Sequence, residues 1–458
     1  MAIRLAEIEL TNFKNVQFGK IRMPSQLNRR DDRENADIVG IYGQNGSGKT
    51  AVIDSLSLIK CLMSGNRLPI HTKDYITKNS QNAIIKLIFC IDIDDICYGA
   101  EYSISINSQG TLLDSESLKI TQLVEGRKKT VDSIIIESNN EYILKPKKRW
   151  SKYTAMTNRS RIDIEVERKL CMREYRSVLF SNEIENIIFS DDNEKSLISI
   201  IVRRLKVYAQ KGLFVVRGDG YAEKDSLEFV LPDLDRISSY AVSLTEPTVM
   251  NKNDYLKFKK VITNLNIVMK AIIPDFSVNI KEYGLEIMND SKEGMRFELL
   301  SNRNNLLVPI RYESEGIKKM LSMLNLIIAM YNNDSVCVII DELDSGIFEF
   351  LLGELLSCIE ECGKGQMIFT SHNLRPLEMI NQEALIFTTT NPDNRYIRIH
   401  EKAQNLRNSY LRHIMLGGLN EVIYADTNSF EIANALRLCG RSDDNEQNNS
   451  EKGNTVHS

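Results

Sequence analysis

Eight residues constrain this chain more than any others. Gly43-Gln44-Asn45-Gly46-Ser47-Gly48-Lys49-Thr50 is a complete G-x-x-x-x-G-K-[ST] pattern. An apolar run, Ile38-Val39-Gly40-Ile41-Tyr42, leads into it, and a helix-like stretch from Ala51 to Met63 follows. Strand, loop and helix in that order is the setting in which the pattern cradles phosphate. Its glycines let the backbone curl so that several N–H groups point at one anion. The following helix presents the positive end of its dipole to the same place. Lys49 then reaches the β- and γ-phosphates, and Thr50 can hold Mg²⁺. The chain is therefore expected to bind a nucleoside triphosphate, ATP, with Mg²⁺.

A second apolar run, Val336-Cys337-Val338-Ile339-Ile340, ends in Asp341-Glu342. An unbroken run of this kind suits a central parallel strand. Carboxylates at its tip fall where open α/β sheets bind ligands. Asp341 would order the Mg²⁺ shell, and Glu342 would act as general base on the attacking water. Asp344-Ser345-Gly346 follows at once. One strand later, Gln366-Met367-Ile368-Phe369-Thr370-Ser371-His372-Asn373 is again apolar and ends in polar residues with a histidine. Ser314-Glu315-Gly316-Ile317-Lys318-Lys319 precedes an apolar helix, Met320 to Met330. Serine and glycine at a helix start form a second anion site by the dipole argument. An ordinary helix cap is the competing reading of Ser314.

The order of these motifs resembles the ATP-binding-cassette (ABC) ATPases, in particular the soluble branch that contains SMC, RecF and the OLD nucleases. The resemblance covers 1–145 and 276–400. It implies an α/β fold, an ABC-type ATPase head in which a mixed sheet with the phosphate loop joins an antiparallel N-terminal β region. It implies that Ser314 and Gly316 act on the nucleotide of a neighbouring subunit and that Asp344 lies at the interface. His372 would be the switch histidine that contacts the γ-phosphate. Ile8-Glu9-Leu10-Thr11-Asn12-Phe13-Lys14 is similar to the branch's opening strand, near the nucleotide base. The departures are specific. Glu315 stands where the transporter signature L-S-G-G-Q has its first glycine, Leu343 replaces the usual proline, and Gln81 is the candidate Q-loop residue.

The rest of the chain sets the organisation. We expect the N-terminal half of the head at 1–145, a helical insertion at 146–275, the C-terminal half at 276–440 and a disordered tail at 441–458. The insertion has helical spacing but no long heptad repeat, which argues against a long-armed chromosome tether. From the length that follows His372, no toprim nuclease is expected within the chain itself. Asn405 to Arg412, with Gly417-Gly418, resembles the C-terminal stretch of compact bacterial ATPases from anti-phage defence operons.

That resemblance implies a homo-oligomer built on ATP-sandwich dimers. It would sense a phage trigger protein and hold, release or activate a separate effector nuclease, of toprim type. The alternative is a RecF-like DNA-binding clamp in repair. The net charge of −4 gives no global basic field for it. The cluster Lys145, Lys147, Lys148, Arg149, Lys152 reads as a solvated loop and Arg203-Arg204-Lys206 as the polar face of a helix. Direct DNA binding stays open.

Eight cysteines contain no C-x-x-C pair, so buried free thiols are expected. Cys358 and Cys362 would be core-facing positions on one helix. Met1-Ala2-Ile3-Arg4 does not open an apolar leader, and no apolar run approaches the ~20 residues that cross a bilayer. The expected setting is cytoplasmic, without membrane contact.

Overall fold

The computed structural model describes residues 2–26, 36–108, 112–124, 127–137, 158–188, 197–217, 226–232, 237–243, 246–288, 293–399, 406–416, 421–424 and 429–439. The basic cluster at 145–152, Gly417-Gly418 and the tail at 441–458 lie outside the described residues.

Strands β1 (Ile3–Phe13) and β2 (Val16–Arg22) are antiparallel. Their tight turn holds Asn12 and Lys14 at φ 53° and 54°. Next come β3 (Asp37–Tyr42), the phosphate loop and α1 (Lys49–Met63). A meander follows through β4 (Asn82–Ile93), β5 (Ile96–Asn107), β6 (Leu113–Val124) and β7 (Arg127–Glu137). These strands form a six-stranded antiparallel sheet in the order β2-β1-β4-β5-β6-β7. Alternation along β4 buries Ala83, Ile85, Leu87, Phe89, Ile91 and Ile93. One face of the sheet therefore packs on a core while the other meets water.

The middle of the chain contributes α2 (Asn158–Glu174), α3 (Asn182–Ile188) and α4 (Leu197–Lys211). It then adds strands: β8 (Leu213–Val216), β9 (Ser226–Pro232), β10 (Ile237–Ser243) and β11 (Thr248–Asn251). Helix α5 (Lys252–Ile272) follows, capped by Asn251, whose side chain accepts from Asp254 N at 2.9 Å. A small antiparallel sheet is built from β11, β12 (Phe276–Ile287), β13 (Glu293–Arg303) and β14 (Leu306–Pro309).

The C-terminal half supplies α6 (Glu315–Asn332), β15 (Cys337–Ile340), α7 (Glu349–Cys362), β16 (Gln366–Thr370) and the one-turn α8 (Pro376–Met379). It ends with β17 (Leu385–Thr388), β18 (Tyr396–Ile397), α9 (Leu406–Leu416) and α10 (Ser429–Cys439).

The phosphate-loop sheet has the order β18-β17-β3-β16-β15-β8. All pairs are parallel except β17 with β18. Both faces are covered, so alternate residues of one strand enter different cores. Cys337 and Ile339 pack with α1, α4 and the antiparallel sheet. Val338 and Ile340 pack with α5, α6 and α7. This double burial is why the sequence shows continuous apolar runs here and alternation in β4. The α/β architecture expected from the sequence is present: a mixed sheet with the phosphate loop, an antiparallel N-terminal sheet, and helices between the two halves. The helical region also holds a strand of that mixed sheet, since Leu213 to Val216 pair in register with Cys337 to Ile340.

One sequence expectation is corrected. Cys358 and Cys362 share helix α7 but are exposed. The buried face of that helix is Leu352, Gly353, Leu356 and Ile359. Arg203, Arg204 and Lys206 lie on helix α4. Lys206 is buried, and its ammonium donates to Asn182 Oδ1 at 2.5 Å and Glu185 at 3.0 Å. Arg203 pairs with Glu185 at 3.2 Å, and Arg204 donates to the carbonyl of Asp92 at 2.7 Å. The basic run stitches α4 to α3 and to the antiparallel sheet. No described helix is long and apolar enough to cross a membrane.

Candidate nucleotide site

The phosphate loop bridges the end of β3 and the start of α1. Gly48 forms the N-cap of α1 at φ 101°, where a side chain would be strained. A Cβ on Gly43 would fall 1.7 Å from Thr388 Oγ1, so the loop's entry has room only for glycine. Ser47 Oγ donates to Gln44 O at 2.6 Å and lies 2.5 Å from Thr388 Oγ1. Thr388 in turn donates to Tyr42 O at 3.2 Å. Tyr396 OH donates to Gly48 O at 2.8 Å. The loop is thus gripped from beneath by β17 and β18.

Lys49 is buried, and its ammonium donates to the loop carbonyls Gly43 O at 2.7 Å and Gln44 O at 3.1 Å. Burial pulls its pKa below the ordinary lysine range, against the attraction of Asp341, Glu342 and Asp344. A desolvated cation favours an incoming anion.

A cavity of about 270 Å³ opens above the loop. Of the sequence-predicted residues it is lined by Asn45, Gly46, Gly48, Lys49, Thr50, Asp341, Glu342 and His372. Gly43, Gln44 and Ser47 form the loop's frame rather than its wall. The cavity fits a triphosphate with its metal: glycine-lined backbone faces the anion, and the Thr50 hydroxyl and Asp341 carboxylate are the hard oxygen donors Mg²⁺ takes.

The carboxylates are held by a clasp that the sequence did not single out. Thr370, the last residue of β16, donates to Asp341 Oδ1 and accepts from Glu342 N at 2.8 Å. Its carbonyl accepts from Leu343 N at 2.9 Å. Glu342 stands at φ 51°, a left-handed conformation that costs a non-glycine residue about 1–3 kcal/mol and persists only where its surroundings over-determine it. Lys319, buried on α6, completes the hold by donating to Glu342 O at 2.6 Å. Burial lowers the pKa of Lys319 too, with Glu342, Asp344 and Asp341 opposing.

Removing the clasp alone gives a direct test. Thr370→Val keeps the shape and deletes the hydroxyl. Turnover is expected to fall roughly tenfold to a hundredfold, because small misplacements of reacting groups cost that much. ATP affinity should change less than about threefold, since Lys49 and the loop are untouched. Single-turnover phosphate release and an equilibrium nucleotide titration separate the two. Wild-type turnover would show that Thr370 positions nothing.

Asp344 does not line the cavity. Its Oδ2 accepts from His372 N and Asn373 N, both at 3.1 Å, and so sets the position of the histidine loop. Ser314 caps α6, accepting from Ile317 N at 3.4 Å. Gly316 packs against Gly346, where a Cβ would sit 3.2 Å from Gly346 Cα. Neither Ser314 nor Gly316 belongs to the cavity wall of its own chain. Gln81, the candidate Q-loop residue, does not line it either.

Lys14 and Asn15, in the β1–β2 turn, do line it. The Lys14 ammonium pairs with Asp54 of α1 and sits 4.5 Å from the centre of the Tyr75 ring. Asn15 donates its amide to Gly46 O. The sequence placed this segment near the nucleotide only by resemblance. A turn residue gives no periodic signal of the cavity it faces.

No protein-family model matches the sequence, and no curated protein matches it. Among solved structures the chain is similar to an Smc head bound to the C-terminal winged-helix domain of ScpA, at 14% identity, covering 87% of this chain and 98% of that one, with a TM-score of 0.42. It is similar to the SMC head domain from Thermotoga maritima, at 13% identity, 87% and 100% coverage, and a TM-score of 0.38. It is also similar to the recombination mediator RecF, at 14% identity, 81% and 93% coverage, and a TM-score of 0.33. These similarities are loose, and the functional reading rests on the residues of the site. One cavity gathers phosphate-loop backbone, a cation, two carboxylates and a histidine.

Proposed function

We propose that the chain is an ABC-type ATPase whose site is completed between two copies, so that nucleotide occupancy becomes assembly. The observation that carries this reading is the division of the motifs. Lys49, Thr50, Asp341, Glu342 and His372 share one cavity, while Ser314 and Gly316 lie outside it. In the reading, Lys49 and the loop amides bind the β- and γ-phosphates. Thr50 and Asp341 hold Mg²⁺, which when bound neutralises phosphate charge. Glu342 takes a proton from the attacking water, and His372 contacts the γ-phosphate. A second copy brings Ser314, Gly316 and the start of its α6 to the open side, with Asp344 beside the seam.

Mixing two defective variants tests completion in trans. Lys49→Ala lacks the cradle cation, and Ser314→Arg blocks the closing helix. Each alone should be inactive. Random pairing should restore about a quarter of wild-type turnover, because half the dimers are mixed and each rebuilds one of two isologous sites. No recovery from two folded variants would overturn completion in trans.

The output we propose is regulatory. The assembly holds a separate effector nuclease, of toprim type, and a phage-encoded trigger protein biases it toward release or activation. A ligand moves such an equilibrium only by its difference in affinity for the two states. The S-E-G-I-K-K form and the segment Asn405 to Arg412 support this, since in both the chain resembles AriA, the ATPase subunit of the PARIS defence system.

A further inference from the structure

Arg395 lies under the phosphate loop, and no ion pair accounts for it. It is 7% exposed. Its Nη1 donates to Thr389 O and its Nη2 to Asn15 O, each at 2.6 Å. Both acceptors are neutral backbone carbonyls. Its Nε is buried and has no partner. Among the described residues no carboxylate pairs with it, although most other well-buried cations here reach a carboxylate or sit in the field of several. Lys206 meets Glu185, and Lys49 and Lys319 feel Asp341, Glu342 and Asp344. Burial pulls the Arg395 guanidinium below its usual range.

A buried charge without a counter-ion is strongly unfavourable and persists where something repays it. The position of Arg395 indicates what that is. A Cβ on Gly48 would lie 3.3 Å from Arg395 Cγ and 3.4 Å from Cδ, so the side-chain stem runs directly beneath the loop's last glycine. Gly48 also lines the cavity. The guanidinium holds Asn15 O, and the Asn15 side chain holds Gly46 O, so one chain of hydrogen bonds runs from Arg395 to the middle of the cradle. Backbone bonds fix the base of the side chain, because Arg395 N donates to Phe18 O at 3.1 Å and Thr389 N to Arg395 O at 3.0 Å.

We propose that Arg395 is a positioning residue for the nucleotide phosphates. It braces the loop and the β1–β2 turn from behind and supplies an uncancelled positive charge that the bound phosphates neutralise through one peptide layer. The phosphates are the missing counter-ion. A charge acting in this water-poor layer is weakly screened, so its effect grows with the charge of the ligand. The inference rests on the reading of the cavity as a nucleotide site.

The test is an equilibrium titration of the full chain with fluorescent analogues of ATP, ADP and AMP. Lys49→Ala, Arg395→Lys and Arg395→Met are compared with wild type, and thermal melts check that each is folded. Arg395→Met should weaken ATP binding ten- to a hundredfold, with smaller losses for ADP and smaller again for AMP. Arg395→Lys keeps the charge and should stay within about fivefold of wild type for ATP. A role in structure alone predicts equal losses for the three ligands and no rescue by lysine, and that result would overturn the proposal. Arg395→Met binding ATP as wild type does, while Lys49→Ala does not, would overturn it and leave the nucleotide site standing. If Arg395→Met does not fold, Arg395→Lys decides: retained ATP binding supports the proposal and its loss sinks it. Failure of wild type to bind any of the three would remove the nucleotide reading and this one together.

Discussion

Lys49→Ala is expected to abolish nucleotide binding, weakening ATP at least a hundredfold, which is about 2.7 kcal/mol. The size follows from two terms. A charge-assisted hydrogen bond to phosphate is roughly twice as strong as a neutral one. The ammonium is also buried, donating to Gly43 O and Gln44 O. Phosphate offers this buried cation an anionic partner. Isothermal titration with ATP and Mg²⁺ measures the loss directly. If the proposed defence role holds, the same variant should lose protection in a phage plaque assay. Full protection by a folded Lys49→Ala protein would sink the signalling role proposed for ATP.

Glu342→Gln should separate binding from turnover. A positioned general base contributes about 10²–10⁴ in rate. The amide cannot accept the water's proton at neutral pH, but it fits the same space at the strand tip. Glu342 N still donates to Thr370 Oγ1, and Glu342 O still accepts from Lys319, so the left-handed backbone is retained. Turnover is expected to drop at least about a hundredfold with ATP affinity kept within about threefold. The ATP-bound assembly should then accumulate. Size-exclusion chromatography with ATP and Mg²⁺ would show a persistent oligomer, whereas wild type returns to its starting state as ATP is used. Removing Mg²⁺ with EDTA should prevent hydrolysis in both. Wild-type turnover from Glu342→Gln would move the base elsewhere, and His372 would be the next candidate.

Much of the fold was legible in the sequence because local chemistry and global burial agree there. Ile38 to Tyr42, Cys337 to Ile340 and Gln366 to Thr370 are buried on both faces, so their apolar runs mark central strands without ambiguity. Met320 to Met330 lies within α6, and the Ser314 side chain caps it as serine at that position should. The face that a helix buries was less legible. Cys358 and Cys362 are correctly four apart on one face of α7, but spacing gives a face and not its direction. Leu352, Leu356 and Ile359 took the core side. The partners of the basic run on α4, Asn182, Glu185 and the carbonyl of Asp92, are remote in sequence and left no local sign. Strand β8 was hidden inside a helical stretch, since four residues carry too little periodicity to announce a sheet edge.

By itself the sequence determined the elements of the site: the glycines that only a curled loop needs, a lysine and threonine after them, and two carboxylates and a histidine at strand ends. These follow from covalent neighbours, because a strand, a turn and a helix start place their residues without help from elsewhere. Tertiary structure alone decided what surrounds them. Thr370 became the clasp on Asp341 and Glu342, Lys319 the prop beneath them, Lys14 and Asn15 part of the wall, and Arg395 the buried charge behind the loop. It also left Ser314 and Gly316 outside the cavity of their own chain. Each of those placements depends on segments far apart in the chain being brought together by the two cores, and no local pattern records which distant side chain that packing selects.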